Sequence, residues 1–270
     1  SLINGTAMMS GIGSLLAHDA AHLLQLAIRS GACALELVSG FSDVLDASLH
    51  RLRPHRGQLE VARMMRELLH DSKRIRNRSH YHGRIRIGKE TYTTDIVLQE
   101  VYSLRCIPQI VGPMYDTVQA AQRVLETEIN AVTDNPVLGS GTFLHGGNFH
   151  GDYVATTVDH LKISMTKLAL LTERRINFFL NNQANNRTFP PFLNLKEPGL
   201  SMGLQGLQFV ATSTAAQSQS LSYPHSLHSI STNGDNQDVV SMGTDAALLA
   251  YTVLKNAYTI LAIELVALAQ

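Results

Sequence analysis

The run Asp152-Tyr153-Val154-Ala155-Thr156-Thr157-Val158-Asp159-His160-Leu161-Lys162-Ile163-Ser164-Met165-Thr166-Lys167-Leu168-Ala169-Leu170-Leu171 decides the fold, and it continues to residue 187 without a glycine or a proline. Val154, Val158, Leu161, Met165, Leu168 and Leu171 recur at three-to-four spacing, the period of one helix face. Residues 115–135 and 244–270 are likewise free of glycine and proline, and all three runs exceed the length of an average globular helix. Thr6 to Ser39 predicts another long helix with some glycine, and Gln58 to Ser72 a shorter one. No two-residue alternation is long enough for a sheet. Prolines 54, 136, 190, 191, 198 and 224 fall where turns belong. The expectation is an all-α protein of long, roughly parallel or antiparallel helices.

Composition narrows the setting. The 270 residues are 44% hydrophobic, 16% charged and formally neutral. So few charges leave little polar covering for an isolated globule of this size. Much of the surface is therefore expected to be buried against partners, most simply copies of the same chain. Zero net charge lends no support to a nucleic-acid or membrane-surface role, and no uncharged run looks long and apolar enough to span a bilayer. Cys33 and Cys106 are too few for a disulfide framework and too isolated for a zinc site, which fits a cytoplasmic protein without a metal. Ser1 enters an apolar segment directly, and 261–270 runs on as an unfinished helical pattern. These ends predict that residues 1–270 form one central helical core domain of a longer polypeptide, cut at both ends. Lys73 to Lys89 is the one strongly basic stretch, with seven Lys and Arg and no acid. It reads as a solvated interhelical loop, or one pairing with acidic residues of a neighbouring subunit, rather than a nucleic-acid patch, because no stacking platform or reading motif accompanies it.

Chemistry concentrates in Leu98 to Pro108. Gln99, Tyr102 and Arg105 stand at i, i+3 and i+6, so a helical turn would gather an amide, a phenol and a guanidinium on one side. A guanidinium grips a carboxylate bidentately, and a phenol can move protons or brace developing charge. A buried Tyr and Arg tying two helices together would give the same spacing. Three other segments carry polar or glycine-rich turns. Asn4-Gly5-Thr6 precedes a long helix, with Thr6 as a plausible cap. His145-Gly146-Gly147-Asn148-Phe149-His150-Gly151 precedes the middle helix, and its glycines permit close backbone approach to a ligand. Ser231 to Asp238 is amide-dense and reads as opening a helix, with Asn233 and Gln237 four apart and able to face one way. An ordinary capped surface turn accounts equally well for the first and third.

Together these segments resemble the aromatic amino-acid ammonia-lyases and aminomutases, which include histidine, phenylalanine and tyrosine ammonia-lyases. Leu2-Ile3-Asn4-Gly5-Thr6, Tyr102-Ser103-Leu104-Arg105-Cys106, Pro108-Gln109, Asp134-Asn135-Pro136, Gly146-Gly147-Asn148-Phe149-His150, Glu173-Arg174-Arg175, Pro190-Pro191-Phe192 and Asn236-Gln237-Asp238 occur in the family's order. The resemblance implies a long-helix bundle of the L-aspartase-like type at the core of a homotetramer, with each active site drawing on several subunits. It implies elimination of ammonia from an aromatic amino acid, on an electrophilic methylidene-imidazolone ring (MIO) formed from an internal Ala-Ser-Gly. By resemblance, Asn4, Tyr102 and Arg105 are catalytic. Asn4 serves the amine and electrophile, Tyr102 the ring and proton movement, and Arg105 the substrate carboxylate. Gln99, Phe149, Asn233 and Gln237 would bind substrate.

One departure is plain: no Ala-Ser-Gly occurs in the 270 residues. In the family that tripeptide, and the lid tyrosine that serves as base, lie upstream of the Asn-Gly-Thr segment. The polypeptide alone is therefore expected to be inert and its longer parent to be the lyase, with a non-catalytic helical scaffold as the alternative. Gln237 stands where histidine ammonia-lyases typically carry glutamate. Its neutrality points to tyrosine or phenylalanine, ahead of histidine (giving urocanate) or a 2,3-aminomutase outcome.

Overall fold

A computed structural model describes residues 4–80, the backbone of 85–87 and 92–94, and residues 99–197 and 199–270. Five long helices dominate: α1 (Ala7–Leu37), α5 (Ile107–Ile129), α6 (Asp152–Leu180), α7 (Gln205–Leu221) and α8 (Gly243–Ala269). Shorter helices are α2 (Ala47–Arg51), α3 (Arg56–Leu68) and α4 (Tyr102–Arg105). Two antiparallel ladders of three residues per strand pair β1 (Ile85–Ile87) with β2 (Tyr92–Thr94), and β3 (Val137–Gly139) with β4 (Thr142–Leu144). The all-α expectation holds.

The chain divides into two compact units. One comprises residues up to Leu23, Asp116–Ala169 and Ser213–Thr259; the other comprises Leu24–Tyr115, Leu170–Thr212 and Ile260–Gln270. In the first, Leu16, Ala20, Val118, Leu125, Val154, Val158, Leu161 and Val253 form the buried core. Gly13 lets α1 approach closely there, since a Cβ on it would stand 2.9 Å from Leu125 and 3.4 Å from Val158. In the second, Ile28, Leu35, Met65, Leu104, Ile107, Val111 and Ile176 are buried. Gly112 brings α5 against α3 so tightly that a Cβ would stand 2.6 Å from the Gln58 backbone nitrogen. The stripe expected on α6, Val154 through Leu171, is buried throughout, at 5% exposure or less.

Helix ends differ from expectation for local reasons. Helix α5 begins eight residues early, at Ile107, because Pro108 lies in its first turn, where no amide hydrogen is needed. It stops at Ile129 rather than 135, its last turn tightened by Asn130 N donating to Thr127 O at 3.3 Å and Ala131 N to Glu128 O at 3.1 Å. Helix α6 stops at Leu180 rather than 187. There Asn181 turns its side-chain oxygen to the amides of Gln183 (3.0 Å) and Ala184 (3.3 Å), which competes with the helix ladder. Helix α7 has no counterpart in the sequence reading. Its buried positions are Ala211, Ala215 and Ser218, so the apolar stripe is too faint to register as a period. Pro198 lies outside the described residues.

Two buried charge networks lie inside the units. In the second, Arg175 and Glu264 are both fully buried; Arg175 Nε bonds Glu264 Oε1, Nη2 meets Oε2 at 2.9 Å, and Ser30 donates to Oε2 at 2.8 Å. In the first, Lys162 Nζ stands 2.7 Å from Asp159 Oδ1, again with both side chains buried.

Two expectations need correction. Helix α8 does have the length and composition of a membrane span, and its Glu264 is paired with the buried Arg175 of α6. The basic stretch is engaged with its own chain where it is described. Arg74 donates to Leu37 O at 3.2 Å, Arg76 to Ser39 O, and Arg78 to Asp43 at 2.7 Å. The Arg76 and Arg78 guanidinium carbons lie 4.4 and 3.9 Å from the Phe41 ring centroid, close enough for cation–π attraction. Tyr81, His82, Arg84 and Lys89 of that stretch lie outside the residues whose side chains are described.

Candidate active site

Gln99 to Gln109 lies in the second unit. Val101 is extended (φ −60°, ψ 158°), so helix α4 begins only at Tyr102, with the Leu104 and Arg105 amides both donating to Val101 O at 3.0 Å. Tyr102 is 69% exposed, and the Arg105 guanidinium carbon lies 4.8 Å from its ring centroid. The expected pairing of phenol and guanidinium is therefore present. Gln99 is not on the same helical turn, contrary to the spacing argument, because the extended Val101 breaks the helix between them. It lines a cavity of about 260 Å³ with Glu100, Val101, Leu104, Arg76 and Asn186.

Partner accounting marks this stretch. Arg105 Nε, Glu100 Oε2 and Gln109 Oε1 are buried with no hydrogen-bond partner among the described residues. A buried polar atom left unpaired costs about 1–3 kcal/mol, so each of these atoms calls for a complement. Glu100 uses its other oxygen to accept from the Phe41 amide at 2.9 Å, which ties the start of the stretch to the turn after α1.

Asn4, Phe149, Asn233 and Gln237 lie in the first unit. Asn4 is exposed in the turn before α1. Thr6 takes the cap position, its carbonyl accepting from Ser10 N at 2.9 Å, but its hydroxyl donates to Glu128 at 2.6 Å. Phe149 is 39% exposed in a turn closed by His150 N donating to Gly147 O at 2.8 Å. Asn135 Oδ1 accepts from Gly146 N at 2.8 Å and holds the start of that turn. His150 Nε2 lies 3.1 Å from Val239 O, which makes Nε2 the protonated nitrogen and joins the Phe149 turn to the end of the amide-rich loop.

That loop differs from expectation. It does not open a helix: α8 begins at Gly243, and Thr232 and Gln237 pair as an isolated antiparallel bridge with N–O distances of 3.1 and 3.3 Å. Asn233 (φ 55°), Gly234 (φ 63°) and Asp235 (φ 64°) turn the chain between them in the left-handed region, which asparagine and aspartate tolerate best after glycine. Asn233 and Gln237 are thus brought together across a tight turn rather than along one helix face. Both are exposed.

Within the second unit, a phenol on a guanidinium with unpaired buried donors and acceptors beside it is an arrangement that can receive a small polar acid. A sequence profile described as "Aromatic amino acid lyase" matches residues 1–270. The chain belongs to the aromatic amino acid lyase family. Within it, the chain is 41% identical over 275 residues to a tyrosine ammonia-lyase of Cupriavidus metallidurans, covering 100% of this chain and 51% of that protein. It is 39% identical over 272 residues to a histidine ammonia-lyase of Caldanaerobacter subterraneus subsp. tengcongensis, covering 100% and 50%. A solved tyrosine aminomutase from Streptomyces globisporus superposes with a TM-score of 0.93 at 40% identity, covering 99% of this chain and 52% of that one. The chain thus spans about half the length of these lyase-family relatives. Glu100 and the buried pair Asp159–Lys162 are the polar residues that sequence reasoning passed over. Two opposite charges three apart inside an apolar helical run were the available signal for the second.

Proposed function

We propose that the protein to which these residues belong eliminates ammonia from an aromatic L-amino acid, tyrosine or phenylalanine, to give the trans-cinnamate-type acid. The observation that carries this reading is the exposed Tyr102 phenol against Arg105, whose Nε is buried without a partner among the described residues. An α-carboxylate is the natural complement of that guanidinium. Tyr102 holds or passes a proton at its phenolic oxygen, Gln99 and Phe149 line the pocket, and Asn233 and Gln237 orient the substrate. A neutral amide at Gln237 suits a phenyl or phenol ring better than a cationic imidazole. Many large apolar side chains are exposed, including Tyr153 at 75%, Phe209 at 63% and Ile230 at 76%. This supports a homotetramer in which neighbouring copies cover these faces and complete each site.

The family's prosthetic ring fits the donors present. By the family resemblance, Asn4, an exposed amide of the first unit, and Tyr102, an exposed phenol of the second, are each groups that would hold it. When present, the ring supplies an electrophilic carbon for the substrate amine. Its precursor tripeptide is not among the 270 residues. A polypeptide of these residues alone is therefore expected to turn over no aromatic amino acid.

Arg105→Ala in the full-length protein tests the assignment. Losing the ion partner of a desolvated carboxylate is worth about 2–5 kcal/mol, so kcat/KM for tyrosine and phenylalanine should fall by roughly 30- to 5,000-fold. A value near wild type refutes the role. Gln237→Glu should shift the substrate ratio toward histidine, and an unchanged ratio puts selectivity elsewhere. A second reading, a 2,3-aminomutase, is favoured by the likeness to the solved tyrosine aminomutase. Product analysis separates the two: a β-amino acid with no net ammonia marks the mutase, and an unsaturated acid with equimolar ammonia marks the lyase.

A further inference from the structure

We propose that Asp159 and Lys162 are a positioning pair for the loop that carries Asn233 and Gln237. Both sit on α6, three residues apart, with side chains 2% and 0% exposed. Lys162 Nζ stands 2.7 Å from Asp159 Oδ1 and donates to Tyr223 O at 2.9 Å. Asp159 Oδ2 accepts from Ser226 N at 2.9 Å. One turn further along α6, the Thr166 hydroxyl meets that of Ser222 at 2.5 Å. Residues 159, 162 and 166 lie on one helix face, and that face grips the backbone between 222 and 226.

The direction of these bonds carries the inference. A buried ion pair is weak evidence for stability, because apolar residues of the same volume often do as well. Its best-supported use is to fix one arrangement among several. Apart from each other, Lys162 and Asp159 direct the bonds described here to main-chain atoms of a single turn, at Tyr223 and Ser226. That turn is the base of the loop. Beyond it the neck is closed by Val240 N donating to Ser229 Oγ at 2.9 Å and by His150 at Val239 O. The tip then holds Asn233 and Asp235 in left-handed conformations, which cost of order 1–3 kcal/mol for residues other than glycine and persist only when the surroundings over-determine them. The tip is exposed and is closed by its own Thr232–Gln237 bridge and by Ser231 Oγ donating to Asp235 Oδ1, so what the base adds is the placement of that closed tip against α6.

The effect on substrate rests on the reading above that Asn233 and Gln237 orient it; the effect on the loop does not. Both are tested in the full-length protein with Asp159→Asn/Lys162→Met, which removes both charges and leaves no buried ion unpaired. Hydrogen exchange of amides 226–240 should accelerate about tenfold or more, with the amides of α1 and α5 unchanged. KM for tyrosine should rise more than kcat falls. If the double variant does not fold, Asp159→Leu/Lys162→Leu, which likewise leaves no buried ion unpaired, is read the same way. A folded variant with unchanged exchange at 226–240, or with uniform acceleration everywhere, overturns the proposal. A loosened loop with unchanged KM supports the pair and overturns the assignment of Asn233 and Gln237.

Discussion

Glu264→Gln should be among the most damaging isosteric changes in the chain. The carboxylate meets Arg175 at two nitrogens and accepts from Ser30, with all three side chains buried. Replacing one carboxylate oxygen by an amide nitrogen leaves one acceptor for three donors and sets an NH₂ against an N–H or a hydroxyl. Arg175 has little to fall back on. Among the described residues its Nη1 is buried without a hydrogen bond, and Nη2 otherwise meets Ser30 at 3.4 Å and Thr172 at 3.5 Å. Removing one partner of a buried pair costs about 3–5 kcal/mol, a large part of the 5–15 kcal/mol that usually holds a domain together. A Cβ on Gly31 would lie 3.1 Å from Ile107 and 3.8 Å from Arg175 Nη1, so the network adjoins the start of α5, directly after Arg105. Urea unfolding of the full-length protein, followed by circular dichroism, should show the midpoint falling at constant slope. Arg175→Met/Glu264→Leu should recover most of the loss, because it removes both charges at similar volume. A loss below about 1 kcal/mol for Glu264→Gln, or a double variant as unstable as the single, would refute the claim that an uncompensated buried cation sets the effect.

Three further outcomes follow from the same geometry. His50 is fully buried, its Nε2 3.1 Å from Val44 O and its Nδ1 3.0 Å from Gln58 Nε2, and burial pulls its pKa below the ordinary histidine value. The unfolded chain therefore takes up the proton first, so this contribution to stability is complete above about pH 6.5 and declines as pH falls through the gap. His50→Gln should flatten the stability curve below about pH 6.5, and an unchanged slope would exclude the assignment. Gly112→Ala places a methyl against the Gln58 backbone and should destabilise by about 1–3 kcal/mol in thermal unfolding, whereas a neutral result would mean that α3 can move aside. Finally, the 270-residue polypeptide should release no cinnamate-type acid from tyrosine or phenylalanine. Turnover by that polypeptide alone would show that the elimination does not depend on an internal Ala-Ser-Gly.

What the sequence made legible, and what it hid, follows from how far each signal reaches along the chain. The phenol and guanidinium of Tyr102 and Arg105 are legible in the sequence because the single turn of α4 brings them together, while Gln99 falls off that side because one extended residue, Val101, interrupts the turn. The Asn233–Gln237 pair was found, but its geometry was not: a bridge between Thr232 and Gln237 has no periodicity to detect. Helix α7 was missed because its buried stripe consists of alanine and serine.

The charge networks fall between these cases. Continuing the α6 stripe at its own spacing past Leu168 reaches Thr172, Arg175 and Phe179, and these are 1%, 0% and 1% exposed. Its neighbour Arg174, off the stripe, is 60% exposed. On α8 the buried Ala250, Val253, Ala257 and Ile260 lead at the same spacing to Glu264. Periodicity alone therefore puts one arginine and one glutamate, 89 residues apart, on two buried faces. A buried charge without a partner costs more than a fold can usually absorb, so two such positions of opposite sign imply each other. That step needs no structure, only the rule that a charge on an apolar stripe is a contact whose other half lies elsewhere in the chain. Asp159 and Lys162 obey the same rule within a single turn, which is why the pair can be spent on the backbone of a loop instead of on another helix.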